Sequence, residues 1–151
     1  MIFLEKIENL SPDLPKGLVE AAVQKALKHQ AAQENVDVTI VLTDDDQLHE
    51  LNRQWMDVDA PTDVLSFPSE EIDPESGNRY LGDILISVER AAEQARASGH
   101  SVEAEAQLLV VHGVLHLMGH DHAQPDEKER MWKAQAEILD SLGLGSLEIR
   151  E

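Results

Sequence analysis

Four of the seven histidines fall within eleven residues, His112-Gly-Val-Leu-His116-Leu-Met-Gly-His120-Asp-His122. His112 and His116 are four apart in a stretch with helical periodicity, so their rings lie on one face, a single turn apart. Two imidazoles so placed can reach one ion at the ~2.0–2.1 Å zinc–nitrogen distance. Gly119 stands where a helix needs a left-handed residue to end. The chain then turns, and His122 can supply a third ligand from another direction. Three protein ligands leave a fourth tetrahedral position for water, the pattern of catalytic rather than structural zinc. One histidine alone would read as a surface or satisfied core residue; three at steps of four and six around a suitably placed glycine read as a metal site for one zinc per chain. His120, in the turn beside them, reads as solvent-facing or as a partner of the ligands.

The spacing equals that of the long metzincin metalloprotease signature, H-E-x-x-H-x-x-G-x-x-H. The glutamate that serves those peptidases as general base is replaced here by Gly113, which has no side chain. Nothing in the motif would then carry a proton to a leaving amine, which disfavours peptide hydrolysis. A phosphodiester, whose leaving group is a sugar oxygen, needs less proton delivery and is admissible. No acid or base catalyst is assigned from the sequence.

At these residues the chain resembles the YbeY-type rRNA maturation factors, a family of metal-dependent bacterial endoribonucleases. Upstream, Leu51-Asn52, Pro61-Thr-Asp-Val-Leu-Ser-Phe-Pro68 and Leu81-Gly-Asp-Ile-Leu-Ile-Ser87 follow in the family's order and spacing, so the likeness spans nearly the whole chain. The resemblance implies an α+β single domain (1–151) with a mainly parallel sheet packed by helices, and zinc held by His112, His116 and His122. It also implies cleavage of single-stranded RNA in maturation of the 3′ end of small-subunit rRNA and in ribosome quality control. The partners expected are rRNA and the ribosome or its assembly factors, with no DNA and no membrane. Some members carry an arginine five residues before the Pro-Thr pair, where this chain has Met56. Arg53, three residues earlier on the same helical face, is the candidate phosphate contact. A competing interpretation, favoured by Gly113 and Met56, is a ribosome-assembly binding factor with a mainly structural zinc and little cleavage of its own.

The elements that must position these residues follow from periodicity and punctuation. Strands are expected over 2–8, 36–42, 62–67 and 80–87, and helices over 15–33, from 44–46 through Trp55, 88–98, from Ser101 to about 118, and 125–142. Ser87 and Ser101 read as N-caps, Gly99, Gly119 and Gly143 as helix ends, and Pro125 as a first-turn proline. The triplet Asp44-Asp45-Asp46 reads as a capped, dipole-facing helix start rather than a metal site. About four strands and five helices make an α/β or α+β layer arrangement, whose strand order the sequence leaves open. Asp83, inside an apolar strand, must be paired, either in a structural hydrogen bond or in orienting the site. Asp121 could fix a ligand's tautomer or cap the turn.

Thirty acidic residues against twelve basic give the 151-residue chain a formal charge of −18, which opposes broad, non-specific binding of nucleic acid. Residues 29–75 hold thirteen acidic residues and one basic, whereas Lys6, Lys16, Lys25 and Lys28 balance the first 28 residues. An N-terminal region lining the histidine cleft would keep it neutral to positive. The absence of cysteine rules out disulfides and thiolate ligands. Only Ile2, Phe3 and Leu4 follow Met1 before Glu5, short of a secretory h-region, so a cytoplasmic protein is expected.

Overall fold

The computed structural model describes residues 1–8, 10, 13–32, 35–120, 123–145 and 147. His122 and Asp121 therefore lie outside the described residues. The elements run β1 (Ile2–Lys6), α1 (Lys16–His29), β2 (Val36–Thr43), α2 (Asp45–Trp55), β3 (Val64–Pro68), β4 (Arg79–Ser87), α3 (Val88–Ser98), α4 (Val102–Leu117) and α5 (Pro125–Ser141). The sheet order is β1-β2-β4-β3, parallel across β1/β2 and β2/β4 and antiparallel across β3/β4. This is the expected α+β arrangement of four strands in a mainly parallel sheet with five helices. Among the described residues, no helix is long and apolar enough to cross a membrane.

The parallel pairs need long crossovers, which α1 and α2 provide. Alternation along β4 separates two cores. Ile84 and Ile86 join the large cluster with α1, α3, α4 and α5, while Leu85 packs with Leu48 of α2 and Leu65 of β3. Helix α4 is the centre of the large core. Eleven of its sixteen residues are buried, so it is apolar nearly all round, as a helix enclosed by other elements must be. His112 and His116 are half-buried exceptions near its C-terminal end.

Helix ends match their local signals. Asp44 accepts from Gln47 N at 2.9 Å, and Ser87 and Ser101 accept from Arg90 N and Ala104 N at 3.2 and 3.1 Å. Asp45 does more than face a dipole. Its carboxylate takes Arg90 Nε at 3.0 Å and Nη2 at 2.7 Å, with Ser87 Oγ at 3.2 Å, tying the start of α2 to the start of α3. The Arg90 guanidinium holds the Asp45 carboxyl below its ordinary 3.8. A lowered folded-state pKa means the contribution is complete above pH 3.8 and is lost as pH falls through the lower folded value. Asp45→Asn is expected to cost about 1–2 kcal/mol at pH 7, reduced from a fully buried value because both groups are partly solvated. Urea titrations at pH 7 and below pH 3 check this, since the difference from wild type should shrink in acid.

Gly113 has a packing role. A Cβ there would stand 2.7 Å from Ile84 Cγ2, so α4 approaches the sheet through the missing side chain. Residue 113 thus faces β4. Gly113→Ala is expected to lower stability by about 1–3 kcal/mol by overpacking, read from the denaturation midpoint.

Asp83 finds its partner within the sheet. Tyr80 Oη donates to its Oδ1, and Thr39 Oγ1 lies 2.6 Å from the same phenol. Burial, reinforced by the Asp83 bond, pushes the Tyr80 phenol up to about 12. Asp83 is thus held by a structural hydrogen bond.

Candidate metal centre

The last two turns of α4 carry His112 and His116, whose Nε2 atoms lie 3.0 Å apart with ring centroids 4.6 Å apart. His112 Nδ1 lies 2.7 Å from Oε1 of Gln135 on α5, which is 1% exposed. An amide oxygen only accepts, so Nδ1 carries the proton and Nε2 presents a lone pair. Trp132, one turn back on α5, meets the His112 ring edge-on at 6.1 Å, and Lys128 Nζ lies 5.7 Å from the Trp132 ring centre.

Helix α4 stops where the glycine signal placed its end. Gly119 has φ of 98°, His120 N donates to Leu115 O at 2.9 Å and Gly119 N to His116 O at 3.0 Å. His120 Nε2 then donates to Gln30 Oε1 at 2.7 Å. Burial holds His120 below its ordinary 6.5.

Both histidines line a groove of about 970 Å³ between α4, β3 and α3. Leu108, Leu109 and Val64 supply apolar wall, and Trp132 closes one side. Glu105, fully buried two turns before His112, takes a hydrogen bond from His100 Nε2 at 3.0 Å. Gln94 Oε1 is buried in the α3 wall with no hydrogen-bond partner among the described residues.

The donor set fits a borderline-soft divalent cation. Two nitrogens 3.0 Å apart need a proton or a cation between them, and tetrahedral ligation at ~2.0–2.1 Å separates ligand nitrogens by about 3.3 Å. No third His, Cys, Asp or Glu completes a group of three among the described residues, which exclude His122.

Arg53 is not brought to this groove. Its Nη2 is held by Glu50 Oε1 at 2.5 Å, one turn back on α2, and it does not line the cavity. Met56 does line it. The N-terminal lysines also lie elsewhere: Lys16 and Lys28 border a separate cleft between β1 and α1. The groove wall includes the carboxylates Asp63 and Glu105, so the expectation of a lysine-lined cleft is corrected.

The family profile described as Endoribonuclease YbeY matches residues 4–143. The chain belongs to the YbeY family. A protein named Endoribonuclease YbeY from Pelotomaculum thermopropionicum is 45% identical over 131 residues, covering 85% of this chain and 86% of its own. Its namesake from Acetivibrio thermocellus is 38% identical over 158 residues, covering 95% and 97%. A Thermotoga maritima protein of known solution structure matches with a TM-score of 0.58 and 30% identity, over 95% of this chain and 92% of that one.

Within this YbeY-family groove, sequence reasoning missed Gln135, Trp132, Glu105 and Gln94. The first two sit on α5, twenty or more residues from His112, and no local pattern links them to it. Glu105 carried a detectable signal, seven residues before His112 and so on the same face of α4.

Proposed function

We propose that this YbeY-family chain is a zinc-dependent, single-strand-specific endoribonuclease acting in the cytoplasm on the 3′ end of small-subunit rRNA and in ribosome quality control. The convergence of His112 Nε2 and His116 Nε2 at 3.0 Å on the wall of an open groove carries this proposal. The names of the relatives and the histidine–glycine motif support it.

His112, His116 and His122 would hold one zinc ion. Bound there, zinc supplies Lewis-acid stabilisation of phosphoryl charge and a water that ionises near neutral pH. The protein's own groups do the rest. Gln135 Oε1 accepts from His112 Nδ1, and Leu108, Leu109 and Trp132 give the groove an apolar side, against which electrostatic interactions are stronger than in bulk water. His120, with its proton held at Nε2 by Gln30, presents Nδ1 as an acceptor at the groove edge.

The competing assembly-factor interpretation draws on Met56, an apolar residue on the groove wall at the position of the arginine that some members carry. Titrating metal-stripped protein with zinc and then offering matched single-stranded and duplex RNAs tests the proposal. The expected result is one zinc per chain and internal cuts in the single strand alone. Stoichiometric zinc without cleavage would favour the assembly factor, and equal cutting of both RNAs would remove the single-strand preference.

A further inference from the structure

We propose that Gln135 is a positioning residue that sets the tautomer and aim of His112 and thereby the affinity of the site for a divalent cation. The inference rests on the metal site proposed above and goes beyond the histidine motif.

The geometry is restrictive. Gln135 Oε1 stands 2.7 Å from His112 Nδ1, and the glutamine is 1% exposed. Met131, Ile138 and Leu139 are buried on the same stripe of α5, so the side chain leaves a face locked into the large core. A buried amide needs a partner, and this oxygen has His112 Nδ1. Accepting from Nδ1–H leaves His112 Nε2 unprotonated and 3.0 Å from His116 Nε2. The opposite tautomer would turn an N–H toward that point and remove the lone pair a cation needs.

Ligating histidines commonly give their second N–H to a carboxylate or carbonyl, and losing that partner typically weakens metal affinity about 10–100-fold. Here the partner is a neutral amide. It fixes orientation without adding a negative charge beside the site, so a carboxylate in its place should hold the cation at least as tightly.

The test uses the full chain as wild type, Gln135→Met, Gln135→Glu and His116→Ala. Nitrogen-15 NMR of the metal-free proteins reads the His112 tautomer, and competition with a chromophoric chelator reads zinc affinity. Wild type should carry the proton on Nδ1. Gln135→Met should shift it toward Nε2 and weaken zinc binding about 10–100-fold, and Gln135→Glu should restore both. A Gln135→Met protein with the wild-type tautomer and affinity would overturn the proposal, as would an Nε2–H tautomer in the wild type. Should Gln135→Met fail to fold, wild type and Gln135→Glu still decide: an Nε2–H tautomer or weaker zinc binding in Gln135→Glu would overturn it. If zinc distinguishes wild type from His116→Ala but not from Gln135→Met, only the role of Gln135 falls. If wild type and His116→Ala bind zinc equally poorly, the metal site itself falls, and this proposal with it.

Discussion

Replacing His116 with alanine is expected to abolish retention of zinc and to lower RNA cleavage by more than about 100-fold, beyond the range seen when only a ligand's outer partner is lost. His116 Nε2 is one of two nitrogens 3.0 Å apart, and alanine leaves His112 without its neighbour on the helix face. The fold should survive. His116 is half-buried at the groove, whereas the core side of α4 is made by Val110, Val111, Val114 and Leu115. The thermal midpoint should therefore move by only a few degrees, corresponding to about 1 kcal/mol. His49→Ala is the control. That histidine sits on α2, pairs with Asp59 at 2.7 Å and does not line the groove. Metal content by mass spectrometry and cleavage of a labelled single strand should be unchanged in His49→Ala and lost in His116→Ala.

The second large effect is structural. Gly82→Ala is expected to destabilise the protein by about 3–5 kcal/mol, a large share of the ~5–15 kcal/mol typical of a folded domain. Gly82 has φ of 139°, which alanine tolerates poorly, and a Cβ there would stand 2.2 Å from Phe67 O. That oxygen belongs to backbone. It cannot withdraw without disturbing the β3/β4 register, in which Phe67 faces Asp83 and Pro68 faces Gly82. Leu117 Cδ2 would lie 3.0 Å from the same Cβ, so the strain reaches α4 one residue past His116. Equilibrium denaturation of Gly82→Ala reads the loss directly, and a change below about 1 kcal/mol would contradict this account of the β3/β4 junction.

What was legible in the sequence was local. A helix period places His112 beside His116 without knowledge of anything else, and Ser87, Ser101, Gly99 and Gly119 act within a few residues of their own positions. Boundaries slipped where tertiary contacts decide them. The first helix ends at His29 rather than at residue 33, and β3 begins at Val64, leaving Thr62 and Asp63 on the groove wall. Strand order was not legible, because the antiparallel placement of β3 on β4 depends on pairing over the whole sheet. Arg53 illustrates the limit of helical-face arguments. Glu50, one turn earlier on α2, takes the guanidinium, and Arg53 does not line the groove that Met56 lines. Gln135 is the converse case, a side-chain contact between two helices that no spacing rule connects.

The proposal that His112, His116 and His122 make this YbeY-family protein a metal-dependent endoribonuclease is decided by one assay. The purified 151-residue chain is incubated with an end-labelled single-stranded RNA as zinc-loaded protein, after chelation, and after zinc is returned. Internal cleavage fragments should vanish on chelation and reappear with zinc. Cleavage that persists undiminished in the chelated protein would contradict the proposal.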